Sequence, residues 1–191
     1  RILIVNLAKG KIGEGPAHLL GALIASSLAQ CALARAAAPA ASRTPFTLYA
    51  DELQAYATQS FPLILSEARK YNLHLVLSHQ YLDQLPDGLS PAILGNVATL
   101  IALRLGADDA RDLAPHFGLE TPNALLDTLN YRGLLRTIDE EGLSNPIYLE
   151  LAPPPRALHG RAEHLKANSR QRFGRARAVV DAHVRRCLAG R

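Results

Sequence analysis

The 191-residue sequence contains no methionine, not even at position 1, and it enters an apolar run at Ile2 immediately after Arg1. It therefore reads as a piece cut from a longer polypeptide, and part of any active site is expected to lie outside it. Cysteine is scarce too. Cys31 and Cys187 fit no zinc spacing and supply no disulfide framework, so a reducing cytosolic setting is the default and the two thiols read as ordinary. A phosphate-gripping loop of the form G-x-x-x-x-G-K-[ST] is missing: no Gly-Lys-Ser/Thr occurs anywhere, and the nearest stretch, Lys9-Gly10-Lys11-Ile12-Gly13-Glu14-Gly15, departs from it. No uninterrupted membrane-length run is present either. Residues 17–41 are long and apolar but rich in alanine and broken by His18, Ser26, Ser27, Gln30 and Arg35, so a buried helix is expected there and a soluble chain.

What is present is ordinary globular composition, 48% apolar and 20% charged, in a length that suits one sizeable core. The net charge of +4 is uneven. Between Arg156 and Arg191 there are ten Arg and Lys against two acidic residues, Glu163 and Asp181, which leaves the remainder near-neutral or slightly acidic. Such a tail can touch phosphates or a membrane surface, or it can be the solvated face of a terminal helix. Pro153-Pro154-Pro155 makes a stiff linker before it, dividing the chain into residues 1–152 and 153–191.

Continuous apolar, β-branched runs alternate with helical patterns. Strands are expected at Ile2–Leu7, Phe46–Ala50, Leu73–Ser78, Val97–Leu105, Tyr131–Thr137 and Pro146–Leu151, with a turn at Asp139–Gly142. Helices are expected from Pro16 to about Ala37, from about Ser60 to Tyr71, after Pro91, from Asp108 to His116, from about Pro122 to Leu129, and in the tail. Runs that are apolar throughout predict strands buried on both faces, in a mostly parallel α/β sheet with helices on both sides. Ligands of such sheets sit at the carboxyl ends of the strands. Asp51-Glu52, His79-Gln80 and Arg104 stand at or near such ends.

Phe46–Glu52, FTLYADE, has the Walker B form of P-loop ATPases. There the first carboxylate holds magnesium, usually through water, and the second orients or deprotonates the attacking water. An acidic pair at a strand end can also do no more than cap the next helix. Gln80 closes the following apolar strand, LVLSHQ. An amide at that point can both donate to and accept from a terminal phosphate, or can be a polar residue in an ordinary loop. His79 beside it reads as a structural side chain.

Residues 51–85, DELQAYATQSFPLILSEARKYNLHLVLSHQYLDQL, followed by residues 95–117, GNVATLIALRLGADDARDLAPHF, resemble the type IV secretion coupling ATPases, TraD/TraG-like proteins of the HerA/FtsK superfamily. The opening ILIVNLAKGKIGEGPAHLLGALI and the closing NSRQRFGRARAVVDAHV are similar to that group as well. The resemblance implies a RecA-like core whose Walker A half lies outside this chain, and a hexameric ring motor with ATP and Mg²⁺ at subunit interfaces. It further implies sequence-independent contact with DNA phosphates, a place on the cytoplasmic side of the bacterial inner membrane, and relaxase or secretion-apparatus partners. Carried over by motif, Asp51 is the Mg²⁺ carboxylate, Glu52 the base and Gln80 the sensor, all three at the nucleotide. Arg69 and Arg104 match arginines near the nucleotide, some of which act across a subunit boundary. The alternatives are a salt bridge with Glu67 for Arg69 and a plain strand edge for Arg104. At the level of function the alternatives are a pilus-assembly or secretion ATPase that moves protein, and a non-catalytic docking module.

Overall fold

The computed structural model describes residues 2–58, 61–140, 142–155 and 160–190. Ser60, Glu141 and Arg156, which the sequence reading used as a helix start, a turn residue and the head of the basic tail, lie outside them. The chain divides into two compact units, Arg1–Leu151 and Ala152–Arg191.

In the first unit, a short α1 (Lys9–Ile12) leads into α2 (Glu14–Leu33). β1 (Phe46–Ala50), α3 (Phe61–Glu67), β2 (Leu73–Leu77), α4 (Leu89–Asn96), β3 (Thr99–Ala102), α5 (Ala107–Leu113) and α6 (Asn123–Leu126) follow. β4 (Arg132–Asp139), β5 (Gly142–Leu143) and β6 (Ile147–Glu150) complete it. The second unit holds α7 (Ala162–Phe173) and α8 (Arg177–Leu188).

β1 and β2 are parallel, paired from Phe46↔Leu73 to Ala50↔Leu77, because the helical crossover through α3 returns the chain to the same end of the strand. The other three pairings are antiparallel: β3 with β4, β4 with β5, and β4 with β6. Among the described residues, parallel pairing in this α/β fold is thus confined to β1 and β2. The last strands are joined by connections too short for a crossover, with Asp139 opposite Gly142 in the tightest of them.

Three sequence expectations are corrected here. Ile2–Leu7 is not a strand: nothing among the described residues pairs with it, and Ile2, Leu3 and Ile4 are exposed. β1 and β2 are covered on one face only. Leu48 and Ala50 turn inward with Leu73, Leu75 and Leu77, against α2, α3 and α4. Tyr49 and Val76, register partners on the opposite face, are 75% and 49% exposed because no described element covers them. β3 is also shorter than the apolar run that suggested it, ending at Ala102 before Arg104.

α2 is likewise buried along one stripe and not all round. Ala17, Gly21, Ala25, Ala29 and Ala32 pack inward, while Leu19, Leu20 and Leu23 stay exposed. By length and composition alone, Glu14–Ala37 could cross a membrane. Its small-residue stripe instead lets the helix approach the protein closely. At Gly21 an added Cβ would lie 2.6 Å from Cβ of Tyr56 and 2.9 Å from Leu7. Gly21→Ala therefore sets a helix-propensity gain of ~1 kcal/mol against overpacking of about 1–3 kcal/mol. Thermal denaturation should show a modest loss for Gly21→Ala and a larger one for Gly21→Leu; an unchanged midpoint in Gly21→Leu would mean α2 does not approach Tyr56 in this way.

Two cores result. One gathers Ala50, Leu53, Phe61, Leu89 and Ile93 beneath β1 and β2. The other joins Ala102 of β3 and Leu134 of β4 to Leu113, Phe117 and Leu125.

Candidate active site

β1 ends on Ala50, only 2% exposed, and the chain leaves the strand at Asp51. Glu52 has a left-handed backbone, φ 54° and ψ 50°. A non-glycine residue there is uncommon and persists where the surroundings over-determine it. Here Ser78 at the tip of β2 does so. Its N–H donates to Ala50 O (3.0 Å) and its carbonyl accepts from Leu53 N–H (2.9 Å), so the Asp51-Glu52 step is looped out between two main-chain bonds. Leu53 anchors the far side of the loop with no exposed surface at all.

The side chains follow from that loop. Ser78 Oγ donates to Oδ1 of Asp51 at 2.5 Å. Glu52 is clasped by two amides: Gln80 Nε2 donates to Oε1 at 2.6 Å and Gln54 Nε2 donates to Oε2 at 2.5 Å. A carboxylate can only accept, so both amides must turn their nitrogens toward it. Oε1 of Gln54 is buried and has no hydrogen-bond partner among the described residues. Tyr56 closes the turn by donating its hydroxyl to the Asp51 carbonyl (3.0 Å), and burial first, with the charge of Asp51 second, raises its phenol above the ordinary tyrosine range. Asp51 and Glu52 also line a groove of about 890 Å³ between residues 2–9, α2 and β1.

Of the sequence candidates, Asp51, Glu52 and Gln80 are thus brought together at the carboxyl ends of two adjacent parallel strands. Arg104 follows β3 at that strand's carboxyl end, exposed and without a side-chain partner among the described residues. The exits of β2 and β3 are linked, since the N–H of Leu82 lies 3.4 Å from both carboxylate oxygens of Asp109. Arg69 is not near this group. It sits in the turn Ala68–Tyr71 that leads into β2, at the amino end of the strand, and is exposed. Glu67 pairs with Lys70 (2.7 Å) and not with Arg69. His79, beside the site, has a buried Nδ1 with no hydrogen-bond partner among the described residues.

Ser78, Gln54 and Tyr56 were missed from the sequence. Ser78 carried a faint signal as the last residue of an apolar run one position before His79-Gln80. Gln54 and Tyr56 carried none, because only the left-handed step at Glu52 turns the following residues back onto the carboxylates.

No family model matches the chain, and no curated protein matches it. Among solved structures it is similar to the bacterial conjugative coupling protein TrwB in its unbound form, with a TM-score of 0.56 at 14% identity over 72% of this chain and 38% of that one. The plasmid coupling protein TrwB with a non-hydrolysable ATP analogue gives 0.54 at 16% identity, and with a non-hydrolysable GTP analogue 0.53 at 17%. Both again cover 72% of this chain and 38% of theirs, so the chain spans well under half the length of these structures. The likeness is one of fold: this chain has the RecA-like α/β fold of part of a conjugative coupling protein.

Proposed function

We propose that this chain is the part of an ATP-driven motor that supplies the hydrolytic carboxylates, in a protein that moves DNA for conjugation or type IV secretion. The observation that carries the reading is the clasp of Glu52 by Gln80 across the ends of β1 and β2. It joins a base and a phosphate-sensing amide in one hydrogen bond, on a fold shared with a coupling protein described in complex with an ATP analogue.

The donor set suits a hydrated magnesium ion. Ser78 occupies Oδ1 of Asp51, while Oδ2 has no partner among the described residues. Hard oxygen donors at a strand end match the preference of Mg²⁺ for one or two carboxylates, water and phosphate oxygens. No group of three His, Cys, Asp or Glu that could hold a metal by itself occurs among the described residues, and water and phosphate oxygens would supply the rest of the shell. When bound, the ion would offset charge on the phosphates. Glu52 would take the proton of the attacking water, and Gln80 would report the terminal phosphate. Arg104 would serve a nucleotide near its own strand ends or across a boundary, whereas Arg69, at the amino end of β2, would act on a neighbour's nucleotide. A hexameric ring at the cytoplasmic face of the bacterial inner membrane, with sequence-independent phosphate contacts to DNA and with relaxase or secretion-apparatus partners, completes the proposal.

Since the sequence holds no G-x-x-x-x-G-K-[ST] loop to cradle the β- and γ-phosphates, this chain alone should show no ATPase activity. The full-length protein should hydrolyse ATP with Mg²⁺, and faster when DNA is added. Turnover by the chain alone, lost on Glu52→Gln, would overturn the division of the site. Turnover by the full-length protein that ignores DNA but rises with a protein substrate would point to protein as cargo.

A further inference from the structure

We propose that Gln54 is a positioning residue that anchors one oxygen of Glu52, so that Gln80 can leave the other for the nucleotide without freeing the carboxylate. The inference rests on Glu52 and Gln80 acting as proposed above.

The two amides hold the same group but differ in mounting. Gln54 lies in the single turn Leu53–Ala55, pinned by the buried Leu53 and by main-chain bonds from Ala55 N–H to Glu52 O (2.8 Å) and from Tyr56 N–H to Leu53 O (3.1 Å). It is half-buried, and its amide nitrogen is committed to Oε2 of Glu52. Gln80 lies beyond the end of β2 in a bend, and it is exposed. One partner is therefore mounted in a packed turn and the other on an exposed bend.

A carboxylate with an amide on each oxygen is held in place but is crowded where water must approach. Once the Gln80 amide turns to a phosphate oxygen, Oε1 is free to accept a proton from water as the water oxygen bonds to phosphorus and the bond to the leaving diphosphate breaks. Oε2 stays on Gln54 throughout, so the carboxylate keeps its direction. Without that anchor it would be free to rotate at the moment Gln80 departs, and misplacement of a reacting group by an ångström costs about a hundredfold in rate.

Oε1 of Gln54, buried and without a hydrogen-bond partner among the described residues, supplies the discriminating variant. Burying an unsatisfied carbonyl is unfavourable for folding. If Gln54 served folding alone, Gln54→Leu would remove that burden and leave the chemistry untouched. As an anchor, the same change should lower kcat about a hundredfold, leave binding of a fluorescent ATP analogue within about twofold, and leave the thermal midpoint unchanged or higher. Gln54→Glu, which sets a second carboxylate against Glu52, should lower kcat at least as far.

The measurements belong in the full-length protein, with Glu52→Gln assayed beside them. Should Glu52→Gln keep near-normal turnover, the reading of the whole site falls and the anchor with it. Should Glu52→Gln be inactive while Gln54→Leu keeps a normal kcat, the anchor alone is overturned. A Gln54→Leu protein that loses thermal stability and analogue binding together would assign Gln54 to the fold and also overturn the proposal.

Discussion

Glu52→Gln in the full-length protein is expected to lose turnover by about 10²- to 10⁴-fold, the range for removal of a general base, while it still binds nucleotide. The structure adds a reason why binding should survive. The replacement has the same length, and its carbonyl can still accept from one of the two amides, Gln54 or Gln80. Its new NH₂ group would face the other donor, and the exposed Gln80 can turn its own carbonyl inward to restore the bond. The clasp is preserved and the basicity is gone. Fluorescent-analogue binding together with steady-state phosphate release checks both halves, and near-normal hydrolysis by the variant would remove Glu52 from the role of base.

The second large effect concerns the two arginines. Alanine at Arg104 or Arg69 should leave ATP binding nearly normal and slow hydrolysis, by up to about a thousandfold on the precedent of arginines supplied across a subunit boundary. Geometry separates the pair. Arg69 stands at the amino end of β2, across the strand from Glu52, so any action on a nucleotide must be on a neighbour's. Arg104 stands at the carboxyl end of β3, whose exit is tied to that of β2 through Leu82 and Asp109, so it could serve either. Mixing each arginine variant with Glu52→Gln tests this directly. Where an intact arginine of one subunit faces an intact Glu52 of the next, activity should return. Absence of rescue in mixed rings, with assembly verified by sizing, would give that arginine a structural or same-subunit role. A turnover rate unchanged in Arg69→Ala would end its candidacy altogether, since the exposed side chain has no other partner among the described residues to account for.

Much of the site could be read from the amino-acid sequence alone because its chemistry is local. FTLYADE sets five strand residues directly before two carboxylates, and LHLVL is followed by Ser78 and His79 and then by the amide of Gln80, so residue type marks where each run must end. That Phe46–Ala50 and Leu73–Leu77 would be strands, and α2 a long helix, followed from the same patterns. Burial did not follow. Apolar content marks surface that needs a partner but not whether one is within the chain, which is why Ile2–Val5 and Tyr49 are exposed despite their composition. Only the tertiary structure decided that Ala50 and Leu77 would lie side by side, and hence that Gln80 would meet a carboxylate 28 positions away. It also decided, through the left-handed step at Glu52 held by Ser78, that Gln54 would reach back to the same carboxylate. Sequence determines which groups are available at strand ends; their hydrogen bonds depend on parallel register and on one backbone dihedral pair, and both are set by packing between segments far apart in the chain.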